Sequence, residues 1–209
     1  SYRAKVWQNT ARAGLPKLFL EDMDFEKYAD FIIKFPLLFI EKNNSYQFGE
    51  NQTFKDFMEG KLKSHNSLPS SKDLGIHLST IFTEVRLKKY LEVRSIDECE
   101  WDCHCAGPAF YTGLIYGNLD ESLDIIKKWD QNEILNAYYD SPKNGLKTTI
   151  HNKSILDWGK IFLDISRDGL KNRNFLNNNN QDETIFLKNI DNIIKERKTR
   201  AERVLENLK

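Results

Sequence analysis

From Tyr90 to Arg94 apolar and polar side chains alternate without a break, in the run Tyr90-Leu91-Glu92-Val93-Arg94 followed by Ser95-Ile96-Asp97. A period of two marks an extended strand, because successive Cβ atoms leave opposite faces. Leu91 and Val93 then share one face, and Tyr90, Glu92 and Arg94 share the other. Next-but-one residues on a strand stand about 7 Å apart, so Glu92 and Arg94 are neighbours. Continued backward, the same phase adds Lys88 and Arg86, making a ladder of three cations and one anion. Two readings stand at this point. Charged alternation on an antiparallel sheet can be the solvated face, held by cross-strand pairs worth a few tenths of a kcal/mol. It can also be a surface built for a polyanionic ligand with a metal ion.

The rest of the composition narrows the class. At 209 residues and 24.5 kDa the chain can form one sizeable core or part of a larger one. Thirty-one Lys and Arg balance 31 Asp and Glu, which argues against a nucleic-acid surface or a polybasic membrane anchor. No apolar run approaches the roughly 18 residues of a membrane span. Three cysteines, an odd count without a disulfide framework, predict free thiols and a cytoplasmic location. The first residue is Ser, so a fragment of a longer protein is expected.

Local signals divide the chain into a mixed N-terminal part, residues 1–105, and a helical part, residues 106–209. Arg3, Lys5 and Trp7 alternate briefly before a loop at Ala11 to Pro16. Asp24 caps a helix bearing Phe25, Tyr28, Phe31, Ile32 and Phe35, and Pro36 ends it. Leu37–Glu41 and Ser45–Gly49 flank an Asn-rich turn and read as a hairpin. Thr53 opens a short helix, and another runs from about Asp73 to Phe82, after a Ser-rich loop from Ser64 to Lys72. His77 on that second helix has no partner at i+4 and reads as a partly buried histidine hydrogen-bonded to backbone. Cys99, Cys103, His104 and Cys105 are the one cluster suggesting zinc, but no distant second pair follows. Beyond Pro108 come a helix capped by Asp120, a short one over 132–139 broken at Ser141-Pro142, and an amphipathic helix starting at Ser154 with Asp157 and stopping at Gly169. Two charged helices, the second capped by Thr199 with Glu202, close the chain.

The block Arg86-Leu87-Lys88-Lys89-Tyr90-Leu91-Glu92-Val93-Arg94, then Trp101, Cys105-Ala106-Gly107-Pro108-Ala109-Phe110 and Gly113-Leu114-Ile115-Tyr116, resembles the glutamate–cysteine ligases of the plant and proteobacterial type. That resemblance covers nearly the whole chain. It implies an α+β fold of the glutamine-synthetase-like carboxylate–amine ligases, in which an antiparallel sheet forms part of an open funnel covered by helices. Residues 1–209 would be the C-terminal portion of one catalytic domain, inactive alone, with the N-terminal half of the same protein as partner and a monomer or homodimer as the assembly.

The reaction implied is the first step of glutathione synthesis. ATP phosphorylates the γ-carboxyl of glutamate, and the amine of cysteine attacks the acyl phosphate. The resemblance makes Arg94 the catalytic residue at the γ-phosphoryl group, Glu92 a Mg²⁺ ligand, Arg86 and Lys88 contacts along the ATP phosphates, and Arg3 the guanidinium that holds glutamate. It also implies a regulatory disulfide from Cys105 to the other half. Three departures are visible: Leu38 stands where relatives carry a tyrosine, the spacing to Arg12 is short, and Cys99 and Cys103 have no family counterpart. A related ligase taking another amine, and a non-catalytic thiol or zinc module on Cys99, Cys103, His104 and Cys105, are the rival readings.

Overall fold

The computed structural model describes residues 2–10, 23–42, 44–49, 51–63, 66–97 and 99–208. The predicted loop at Ala11 to Pro16, Arg12 within it, Asn43 of the hairpin turn and the first residues of the Ser64 loop lie outside them. The chain divides into two compact units, one formed by Ser1–Gln8 with Ile96–Lys209 and the other by Asn9–Ser95.

The first element, helix α1 (Tyr2–Gln8), replaces the alternation expected there. Positions 3 and 7 share a helix face as readily as a strand face, and the Arg3 guanidinium lies 5.8 Å from the centre of the Trp7 ring.

In the unit Asn9–Ser95, α2 (Phe25–Ile33) begins as predicted, with the Asp24 carboxylate accepting from the Lys27 N–H. β1 (Phe39–Lys42) and β2 (Ser45–Phe48) pair antiparallel, Phe39 opposite Phe48. Reciprocal capping boxes start α3 (Phe54–Met58) at Thr53–Asp56 and α4 (Ser71–Ser79) at Ser70–Asp73. Two apolar clusters fill this unit. Leu37, Ile40, Phe54, Phe57 and Leu62 form one, and Tyr28, Ile32, Phe35 and Ile81 the other. His77 sits between them at 1 % exposure, stacked on Phe54 and bonded through Nε2 to the Ile32 carbonyl at 2.9 Å. The expected backbone bond is found, and the histidine is fully rather than partly buried.

The unit ends in β3 (Val85–Leu87) and β4 (Leu91–Val93), an antiparallel pair with Arg86 opposite Glu92. Here the structure corrects the single long strand expected over Arg86 to Arg94. The chain reverses at Lys88-Lys89-Tyr90, closed by the Lys88 N–H donating to the Tyr90 carbonyl at 2.9 Å. Among the described residues the β structure consists of separate two-stranded ladders rather than one continuous sheet, and the α+β class stands.

In the other unit, α5 (Ala106–Thr112) runs into a π-helical turn at Gly113–Gly117 and is followed by α6 (Leu119–Ile126), with Asn118, not Asp120, at its N-cap position. α7 (Gln131–Asn144) passes through Pro142 instead of breaking at it. A proline at 142 leaves the Tyr138 carbonyl without its helical donor. That oxygen instead accepts from Ser141 Oγ at 3.1 Å and from Gln8 Nε2 at 2.7 Å, which docks α1 onto α7. After the small β5 (Thr149–Ile150) and β6 (Lys153–Ser154) comes α8 (Ile155–Arg173), opened by the predicted Ser154–Asp157 box. Gly169 does not stop it. The helix ends at Asn174 in the left-handed region, and Gly169 is a contact point: a Cβ there would fall 2.2 Å from the Gly113 carbonyl oxygen. A 3₁₀ turn over Glu183–Leu187, α9 (Lys188–Glu196) and α10 (Arg200–Asn207) complete the chain. Ala137, Ile150, Trp158, Phe162 and Ile165 make the larger core of this unit. No helix among the described residues is long and apolar enough to cross a membrane.

Candidate active site

In the β3–β4 hairpin Val85 and Leu91 are 42 % and 68 % exposed, Leu87 packs on the Tyr28, Ile32, Phe35 and Ile81 cluster, and Arg86 is buried at 5 %. Arg86 and Glu92 form the cross-strand ion pair that such alternation predicts, but with the arginine buried rather than solvated.

Arg86 fixes the arrangement. Its Nε and Nη2 both donate to Glu92 Oε2, at 2.9 and 2.7 Å, and its Nη1 donates to the carbonyls of Ser79 at 2.8 Å and Ile81 at 3.3 Å. Ser79 is the last residue of α4, where helix carbonyls lack intrahelical donors and a cation is favoured. One guanidinium therefore ties the end of α4, the connector after it and both strands together. The Tyr28 hydroxyl adds a further tie by accepting from the Leu87 N–H at 3.0 Å.

Glu92 is the meeting point. Beside the Arg86 fork, Arg94 Nη1 donates to its Oε1 at 2.8 Å, and Lys88 Nζ stands 3.5 Å from Oε2. Partial burial would raise the carboxyl pKa, but the hydrogen bonds from Arg86 and Arg94 outweigh it and hold the group below its ordinary range. Three cations on one carboxylate leave a local surplus of positive charge, the condition for attracting a polyanion. Lys88 and Arg94 are only 32 % and 20 % exposed as side chains.

The structure thus brings Arg86, Lys88, Glu92 and Arg94 together, though with Arg86 as a buried anchor rather than a group open to phosphate. Arg3 belongs to the other unit. Sequence reasoning missed Phe82, whose ring lies under the Arg94 guanidinium at 5.5 Å. It had been assigned to the end of a helix that in fact stops at Ser79.

A carboxylate oxygen takes about two hydrogen bonds. Oε2 of Glu92 has both from Arg86, and Oε1 accepts one, from Arg94. These bonds leave one acceptor position on Glu92 Oε1. Among the described residues no three His, Cys, Asp or Glu side chains converge on a common point. The cysteine cluster also departs from expectation. Cys99 and Cys103 are joined in a disulfide, so the free-thiol expectation fails for both and a zinc set loses two of its ligands, while Cys105 is free and exposed.

Comparison with known proteins bears on the same residues. A chloroplastic glutamate–cysteine ligase A of rice (Oryza sativa subsp. indica) is 36 % identical over 211 residues, covering 98 % of this chain and 42 % of that protein. The chloroplastic glutamate–cysteine ligases of tomato (Solanum lycopersicum) and Arabidopsis thaliana are each 35 % identical over 212 residues, covering 99 % of this chain and 39 % and 40 % of theirs. The chain therefore spans well under half the length of the curated relatives it matches. Their names overturn the cytoplasmic location expected from the cysteines, since all three are chloroplastic. The pattern of glutamate-cysteine ligase family 2 runs through residues 1–207, and the chain belongs to that family.

Proposed function

We propose that this chain supplies the phosphoryl-handling part of an ATP-dependent ligase that joins the γ-carboxyl of glutamate to the amine of cysteine through an acyl phosphate. The observation that carries the reading is the ladder in which Arg86, Arg94 and Lys88 converge on Glu92. Family membership adds the substrates, because the relatives matched are named glutamate–cysteine ligases. In this reading the remaining carboxylates of such a site lie in sequence beyond these 209 residues, the matched relatives being about 2.4 times as long, and the chain alone is expected not to turn over.

In this reading Arg94 presents its guanidinium to the γ-phosphoryl group as charge spreads over the equatorial oxygens. Lys88 meets the neighbouring phosphate as a compact ammonium. Arg86 touches no substrate; by occupying Glu92 Oε2 it leaves Oε1 and the Arg94 fork facing the ligand. Bound at Glu92 Oε1, Mg²⁺ would neutralise phosphate charge. Arg3 would pair with a carboxylate of glutamate.

The test uses the full-length protein carrying this chain. Arg94→Ala should lower ADP release by about 10²–10³-fold, the usual cost of a transition-state contact, with the fold intact by circular dichroism. Unchanged turnover refutes the assignment. For Glu92→Gln the Mg²⁺ titration should shift to higher concentration, and an unmoved curve removes Glu92 from the metal shell. A panel of amines offered with glutamate and ATP decides between cysteine and another acceptor.

A further inference from the structure

Arg94 is held at both ends. Its backbone N–H donates to the Glu84 carbonyl at 2.7 Å, and its Nη1 to Glu92 Oε1 at 2.8 Å. The guanidinium carbon also lies 5.5 Å from the centre of the Phe82 ring. Ion-pairing to a carboxylate leaves a long side chain free to pivot about that contact. A ring face removes the freedom, because a guanidinium is planar and weakly hydrated and stacks on aromatics. Phe82 is itself well fixed, since Ile81 and Thr83 on either side are fully buried at 0 % exposure. Thr83 Oγ1 further locks the connector by donating to the Val85 carbonyl at 2.6 Å.

We propose that Phe82 is a positioning residue that sets the aim of the Arg94 guanidinium, with Glu92 as the other jaw of the clamp. The inference rests on the assignment of Arg94 to the phosphoryl group. It also makes a claim about that side chain that holds whatever Arg94 does. The ring contributes a face, not merely volume, so an aliphatic residue of similar bulk does not replace it.

The experiment compares Phe82→Leu and Phe82→Trp, each in the wild-type and the Arg94→Gln background of the full-length protein. ADP release is followed against ATP, glutamate and cysteine in turn. Phe82→Leu should lower kcat about fivefold to tenfold, the scale of a misaimed contact, and leave each KM within about twofold. Phe82→Trp should restore kcat to within about twofold, since its ring binds cations best. In the Arg94→Gln background Phe82→Leu should cost nothing further. A loss of the same factor in both backgrounds, or full activity in Phe82→Leu, overturns the proposal. Thermal unfolding of the same set separates it from the functional reading. The effects of Phe82→Leu and Arg94→Gln on Tm should be non-additive if ring and guanidinium touch, and additive shifts overturn the clamp whatever the turnover. Normal turnover in Arg94→Gln with non-additive Tm shifts would instead refute the catalytic role and leave the clamp standing.

Discussion

Replacing Arg86 by Met probes the anchor directly. The side chain is only 6 % exposed and Met fills much of its volume, so the change removes hydrogen bonds more than packing. Four donations disappear: two to Glu92 Oε2, one to the Ser79 carbonyl and one to the Ile81 carbonyl. A buried acceptor that loses its partner costs about 1–3 kcal/mol, and one member of a broken buried ion pair about 3–5 kcal/mol. Glu92 moderates this, because its side chain is 27 % exposed and keeps Arg94 and Lys88. Counting the two carbonyls near the low end and a discounted pair term gives a loss of about 3 kcal/mol, or roughly two powers of ten in the folding equilibrium.

The informative control is Arg86→Lys, which keeps the charge but cannot form the fork. If geometry holds the hairpin, Lys should recover less than half the loss measured for Met by urea unfolding. Full rescue by Lys would show that charge alone suffices. A loss below about 0.5 kcal/mol for Met, the range of ordinary surface changes, would refute the anchoring argument outright.

Other predictions address the second unit and the solution conditions. Gly169→Ala drives a Cβ to within 2.2 Å of the Gly113 carbonyl oxygen, so it should destabilise by about 1–3 kcal/mol and lower Tm by several degrees in a thermal melt. Hydrogen bonds from Thr53 and Ser154 hold the carboxyls of Asp56 and Asp157 below the ordinary aspartate value of 3.8. These groups bind protons more readily unfolded than folded, so their contribution is complete above that value and is lost as pH falls through the folded pKa values. The urea midpoint should therefore drop as pH falls below about 4, and Ser154→Ala should shrink the drop. Thiol titration of the folded chain should find Cys105 alone before reduction and all 3 cysteines after it. Reactive Cys99 or Cys103 without reductant would remove the disulfide.

What the sequence showed of this fold was what neighbours in the chain decide. The capping boxes at Ser154 and Thr199 were legible because cap and partner stand three residues apart. Gly169 was misread as a stop because the backbone it accommodates, at Gly113, lies far away in sequence. Pro142 was misread as a break because its orphaned carbonyl finds Gln8, 130 residues distant from Tyr138.

The charged ladder is subtler. Residues six apart share a face along one straight strand, and residues paired across a hairpin also share a face. The register places Arg86 opposite Glu92 about a turn centred on Lys89, so the pattern is identical in both geometries. Lys88-Lys89-Tyr90 offers none of the Gly, Pro or Asn signals that mark a reversal. These four residues were therefore gathered from the wrong backbone path, and the difference is chemical. On a straight strand Arg86 would be the far end of a phosphate-binding row. Across the hairpin it closes on Glu92 and becomes the fixed end of the row, which leaves Lys88 and Arg94 as the cations able to meet an anion.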